Sequence, residues 1–155
     1  MEKMLISGVA KDTSVARISV IGVPDEPGTA FKLFSRLSAR DINVDIILQS
    51  IGRDGTKDIT FTVASSYLQD TLDILDNEFD HPNYIYDDSV AKVSIVGAGM
   101  ETHAGVASKM FEALYAAQVN IQMIATSEIK VSVLIDREEA DRAVRAIHAA
   151  FFPEA

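Results

Sequence analysis

The sequence contains no cysteine. That excludes disulfide bonds and thiolate metal sites, and it is in keeping with a cytoplasmic protein. Long hydrophobic runs are missing too. The apolar stretches are strand-sized pieces such as residues 46–48, far short of the roughly 20 residues that cross a bilayer. The first residues, MEKMLISGVAKD, show no basic segment followed by a long apolar core, so no secretory signal is expected. Positive charge is in deficit: 14 Lys and Arg stand against 23 Asp and Glu, for a formal net charge of −9. Such a balance repels phosphate backbones and anionic lipid, so neither nucleic acid nor a membrane is an expected partner. Several site motifs are lacking as well. No G-x-x-x-x-G-K-[ST] exists, and Gly97-Ala98-Gly99 does not complete a G-x-G-x-x-G. His81, His103 and His148 lie far apart without metal-ligand spacing, and nothing resembles a nucleophile elbow. No catalytic residue, metal or cofactor is therefore expected. What remains is a 155-residue chain, 48% hydrophobic and 24% charged, the composition of a soluble globular protein of one domain or two small ones.

The chain repeats itself. Residues 28–50, GTAFKLFSRLSARDINVDIILQS, align without gaps on residues 105–127, GVASKMFEALYAAQVNIQMIATS. Gly28 meets Gly105, Lys32 meets Lys109, Asn43 meets Asn120 and Ser50 meets Ser127. Upstream, ISVIG at 18–22 matches VSIVG at 93–97, across a loop two residues longer in the second copy. Two unrelated amphipathic helices would share apolar positions but not Gly, Lys, Asn and Ser at fixed offsets. Each copy has one grammar. Alternating Ile18 and Val20 predict a strand, and Ala30, Leu33, Phe34 and Leu37 a helix. Val44, Ile46 and Leu48, the turn Arg53-Asp54-Gly55, then Ile59, Phe61 and Val63 predict a hairpin. Leu68, Leu72, Leu75 and Phe79 predict a second helix. The counterparts are Val106, Met110, Phe111 and Leu114, the turn at Ser127-Glu128, Val131, Val133 and Ile135, and then Ala140, Val144, Ile147 and Phe151. Phe31, Phe34 and Phe111 are read as core residues.

The copies end differently. After Phe79 the first continues to a strand candidate at residues 84–86, whereas the second stops after Phe151 with no sixth element. Residues 4–10 form a strand candidate outside the first copy. The economical solution makes them the missing strand of the second, pairing beside residues 93–96 or 131–135. The first copy, residues 13–90, is then a complete β-α-β-β-α-β unit inserted into the second, residues 1–12 plus 91–155. The expected class is α+β, two ferredoxin-like units, with helices on one face of an antiparallel sheet. That fold hosts many functions. RNA-recognition modules share its order but need aromatic residues where these central strands carry Ile and Val.

The informative loop is residues 22–30, GVPDEPGTA. Helix N-termini expose unpaired N–H groups that suit a carboxylate, Gly28 permits close approach, and Asp25 could take an ammonium. Read this way, one loop offers both ends of a zwitterionic amino acid. Read otherwise, Asp25 is a turn or capping residue and Gly28 a breaker.

The wording of these segments closely resembles the regulatory region of aspartate kinases over essentially the whole chain. VPDEPG before a helix, NVDIILQS, and NIQMIATSEIKVSVLI carry the resemblance. It implies tandem ACT domains that bind threonine and/or lysine for feedback inhibition, and a homodimer in which the first ACT domain pairs with the second of another chain. It also implies a catalytic kinase domain or alpha subunit as partner, since this chain holds no kinase segment. The first effector unit would use Asp25, Gly28, Thr29, Ala30 and Gln49, with Asn120 and Ile121 from the partner chain. The second would use His103, Gly105, Val106, Ala107, Thr126, Ser127 and Glu128, with Asn43, Val44 and Asp45 from the partner. Its loop, GAGMETHAG, departs from the pattern: the carboxylate of VPD-x-PG is missing, Glu101 is displaced and His103 stands near the helix. A free-standing ACT pair regulating another enzyme or a transcription factor is the alternative function.

Overall fold

A computed structural model describes residues 5–79, 81–98 and 104–153. The elements run β1 (Leu5–Pro24), α1 (Thr29–Ala39), β2 (Val44–Gln49), β3 (Thr56–Ala64), α2 (Leu68–Asn77), β4 (Tyr84–Ala98), α3 (Ala104–Ala116), β5 (Met123–Thr126), β6 (Lys130–Asp136) and α4 (Ala140–Phe151). One-turn 3-10 segments, Ser65–Tyr67 and Arg137–Glu139, lead into α2 and α4. Apart from Met4, which lies outside the described residues, the strand candidates at 4–10 and 18–22 prove to be two parts of one 20-residue strand. Between them the sequence KDTSVAR has neither Gly nor Pro, so nothing breaks the extended chain. The short candidate at 84–86 likewise continues to Ala98.

Two compact units result: Ser14–Asp88, and Met1–Thr13 together with Ser89–Ala155. In the first, the strand order is β2-β3-β1-β4. The hairpin register sets Ile18 opposite Phe61 and Ile47 opposite Phe61 from the other side. Ile18, Val20, Ile59, Phe61 and Val63 share one face and bury it against Leu33 and Leu37 of α1 and Leu72 and Leu75 of α2. Phe34 packs edge-on against Phe61, ring centroids 5.5 Å apart. In the second unit the order is β1-β4-β6-β5. Val93, Ile95, Val131, Val133 and Ile135 bury against Val106, Met110 and Leu114 of α3 and Ala143 and Ile147 of α4, with Val9 of β1 at the margin. Numbered within each copy, both units have spatial order 2-3-1-4, and the N-terminal part of β1 is the fourth strand of the second copy. That is the nested ferredoxin-like arrangement.

The repeat extends to details no hydrophobic pattern specifies. Both first helices stop at a non-glycine residue in the left-handed region, Asp41 (φ 56°) and Gln118 (φ 59°). In each case the next N–H closes back on the helix, Ile42 to Leu37 at 3.0 Å and Val119 to Leu114 at 2.9 Å, with the donor residue's side chain buried. Each unit also carries a cross-strand hydroxyl pair, Ser19 with Thr60 (2.8 Å) and Ser94 with Ser132 (2.7 Å).

One expected core residue is not one. Phe34 and Phe111 pack on their cores, but Phe31 is 77% exposed. In α1 the buried positions are Thr29, Leu33 and Leu37, and Phe31 lies two residues from the first two, about 200° round the helix. No described helix is long and apolar enough to cross a membrane.

Candidate functional site: the β1–α1 turn and the β2–β3 hairpin

The loop that joins β1 to α1 is shaped before it begins. Up to Val20, β1 pairs with β3 in one register. By Val23 the register has shifted by one residue, so β1 holds a bulge. Gly22 sits in it at φ 67°, a conformation costly for other residues, and its N–H donates to Asp58 Oδ1 at 2.9 Å. The extra residue returns Val23 to the core side and lets the chain leave the sheet at Pro24. The Asp25 N–H then donates to the Gly55 carbonyl (2.9 Å), which fastens the loop to the β2–β3 hairpin. That hairpin turns through Asp54 (φ 55°) and Gly55 (φ 79°), a two-residue turn with both central residues left-handed.

Gly28 is the N-cap of α1, with φ 92° and no side-chain cap. Thr29, which is buried, donates its hydroxyl to the Pro24 carbonyl at 2.8 Å and so closes the turn on itself. The first helical hydrogen bond runs from the Lys32 N–H to the Gly28 carbonyl (2.9 Å). By helix geometry the N–H groups of Ala30 and Phe31 precede any intrahelical acceptor and mark the positive end of the helix.

Asp25 caps nothing. Its carboxylate turns toward the hairpin instead. Oδ1 lies 3.4 Å from Lys57 Nζ, and the Asp25 side chain is 42% exposed while that of Lys57 is only 10% exposed. Oδ2 rests on Gly52 so closely that a β-carbon there would stand 1.6 Å from it. The carboxylate is thus located from two sides and open on a third. Gln49, the last residue of β2, pairs with Ile59 in the same hairpin and is exposed. Asp25, Gly28, Thr29, Ala30 and Gln49 therefore belong to one loop-and-hairpin assembly within one unit. Lys57 and Gly52 belong to it too and were missed. Lys57 continues the core-facing series Ile59, Phe61, Val63 by one step of two, and a lysine on that face was the available signal.

A cleft of about 330 Å³ lies against the same turn, bounded by Glu26, Lys32, Phe79 and His81. Asp25 and Gln49 do not line it. His81 is tied to the strand, its Nε2 2.6 Å from the Ile21 carbonyl. Among the described residues no group of three His, Cys, Asp or Glu side chains could hold a metal.

The residues assigned to the second effector unit are spread differently. Glu101 and His103 lie outside the described residues. Gly105, Val106 and Ala107 form the first turn of α3, with Val106 buried in the core. Thr126 ends β5, and Ser127 and Glu128 are exposed in a turn closed by the Ser127 N–H to the Lys130 carbonyl (2.8 Å). Asn120 is exposed and Ile121 half-buried, just before β5. Asn43, Val44 and Asp45 lie in the other unit, where β2 begins. Asn43 and Asp45 are exposed and Val44 packs on the core.

The ACT domain family model matches residues 18–79 and 93–151, once per copy. The chain superposes on the regulatory subunit of aspartate kinase from Thermus thermophilus with a TM-score of 0.89 and 41% identity, covering 95% of this chain and 99% of that one. This chain belongs to the aspartate kinase regulatory family of tandem ACT domains. It is similar as well to the structure of aspartokinase alpha and beta subunits, with TM-score 0.85, 45% identity, and coverage of 94% of this chain and 98% of that one. Among curated relatives, an aspartate kinase of Stutzerimonas stutzeri is 49% identical over 154 residues, and an aspartokinase of Helicobacter pylori 48% over 152. In each case 97% of this ACT pair is covered. It spans 37% and 38%, respectively, of those relatives' length.

Proposed function

We propose that this ACT pair is the amino-acid sensor of a cytoplasmic aspartate kinase and mediates feedback inhibition by threonine and/or lysine. The observation that carries the reading is the Asp25 carboxylate, fixed by Lys57 and Gly52 of the hairpin in the loop that leads into α1. An amino acid's ammonium would meet Asp25 and its carboxylate the N–H groups at Gly28–Ala30, with Gln49 against its polar groups. Asn120 and Ile121 of another copy would close the site. The second unit offers a related but poorer site at Thr126, Ser127 and Glu128 with the loop before α3, completed by Asn43, Val44 and Asp45 of another copy.

Pairing of the first unit with the second of another chain is supported by the strand edges. β2 and β5 end the strand orders, and they leave Ile47, Leu48 and Ile124 substantially exposed. A two-fold dimer burying well over about 1,000 Å² is expected. Binding would then bias a kinase domain or alpha subunit between active and inhibited states, with a coupling of about 1–3 kcal/mol. The decisive test is calorimetric titration with threonine and lysine, singly and together, alongside sedimentation. Saturable binding of at least one amino acid by a dimer is expected. Absence of heat from both, or a monomer with and without ligand at micromolar protein, overturns the reading.

A further inference from the structure

The residue that neutralises Asp25 carries a consequence for which ligand the site accepts. Lys57 projects from the core-facing side of β3, one step beyond Ile59, where the apolar core ends. A lysine whose side chain is only 10% exposed is costly to place there unless a counter-charge meets it, and the counter-charge here is Asp25 Oδ1 at 3.4 Å. Gly52 makes the arrangement possible, because any β-carbon there would expel the carboxylate from its place. The carboxylate proposed to receive the ligand's ammonium is therefore already paired with a cation, and the Asp25–Lys57 pair is neutral.

We propose that Lys57 is the specificity-determining residue of the first unit: it favours an amino acid with an uncharged side chain and opposes one with a cationic side chain. The inference rests on the reading of Asp25 as the ammonium acceptor. The α-ammonium and α-carboxylate are common to every amino acid, and Lys57 affects them alike. What differs is a second positive charge on the ligand. It would enter beside a carboxylate whose charge Lys57 already balances, close to the positive end of α1. At about 8 Å and an effective dielectric of about 20–40, two like charges disfavour binding roughly five- to thirtyfold. Gly52 acts as a positioning residue, through Asp25.

The test uses threonine and lysine as probes on the 155-residue chain, by calorimetry at low salt. The Asp25→Ala chain supplies the background from any other site, which is subtracted. The wild-type first unit is expected to prefer threonine. Lys57→Met, similar in length and apolar, keeps the volume filled and should reduce that preference roughly five- to thirtyfold, mainly by tightening lysine. Lys57→Arg should retain the preference. Gly52→Ala should weaken both ligands together, because the carboxylate moves while the cation remains. An unchanged preference in Lys57→Met, or a wild-type first unit that prefers lysine, overturns the inference and leaves the reading of Asp25 intact. Threonine affinity unchanged in Asp25→Ala overturns both.

Discussion

The two units are built alike and equipped differently. Both place four strands in the order 2-3-1-4, both stop their first helix at a left-handed residue, Asp41 or Gln118, and both join central strands with a hydroxyl pair. The loops that lead into the first helices do not correspond. One is VPDEP, with a carboxylate fixed by Lys57 and Gly52. The other is longer by two residues, with neither the proline pair nor a carboxylate at the matching place. What repeats is what the fold requires: apolar faces, helix stops and strand register. What differs lies where the fold requires nothing, and a ligand can be specified there at little cost to stability.

The sharpest way to probe the shared part is to cavitate each core. Phe61→Ala in the first unit removes a fully buried ring and its edge contact with Phe34, and should cost about 3–5 kcal/mol. Met110→Ala in the second removes a fully buried but unringed side chain and should cost about 2–4 kcal/mol. Urea melts of both variants give the comparison, and equal losses would argue that the ring pair adds nothing.

The unshared part answers to Asp25. Asp25→Ala should weaken threonine binding about ten- to a hundredfold and, because it leaves the Lys57 ammonium without its counter-charge, should also lower stability by about 1–3 kcal/mol. Ala30→Thr, which fills space at the helix start, should also weaken it. Lower stability at unchanged affinity would make Asp25 a structural turn residue, and the units would then differ in loop length alone.

The hydroxyl pairs sharpen the comparison further. Ser94 and Ser132 are both buried, so Ser94→Ala strands the Ser132 hydroxyl and should cost about 1–3 kcal/mol. The double variant with Ser132→Ala should recover most of that. Ser19→Ala should cost less, because Thr60 is not fully buried. Thermal denaturation of the three variants decides whether the pairs are equivalent.

The smallest effect belongs to the Lys11–Asp141 pair, which ties the fourth strand of the second unit to α4. The hydrogen bond from Lys11, and then its charge, hold the Asp141 carboxyl below the ordinary value of 3.8. A lowered folded-state pKa stabilises the fold fully above the ordinary value and loses its effect as pH falls through the lower one. Lys11→Met should therefore lower the melting temperature slightly at neutral pH and low salt. The difference should fade in strong salt, and in acid below that window. A deficit that persists in acid would assign it to lost packing.

The fold was legible because apolar periodicity and the repeated Gly, Lys, Asn and Ser offsets constrain the chain from end to end. The nesting could be inferred from an inequality, a sixth strand present in one copy and missing from the other. Three features were not legible. The continuity of β1 through residues 11–17 escaped because a polar stretch without breakers reads as a loop until a neighbouring strand accepts its hydrogen bonds. Phe31 was misread because an aromatic side chain says nothing about which face of a helix it occupies, and α1 buries the face of Thr29, Leu33 and Leu37. Lys57 and Gly52 were overlooked because they lie far from Asp25 in sequence.

By itself, then, the sequence determined the two copies, their order of elements, their core faces and the family they belong to. These follow from local periodicity and from residues repeated at fixed spacing. Only the tertiary structure decided the environment of Asp25. A bulge at Gly22 shifts one strand by a residue, a hairpin folds Lys57 and Gly52 onto the loop, and an exposed carboxylate becomes one half of a neutral pair. Charge balance at a site depends on distances across strands, and those distances are fixed by register, which a one-residue bulge can change without altering any pattern in the chain.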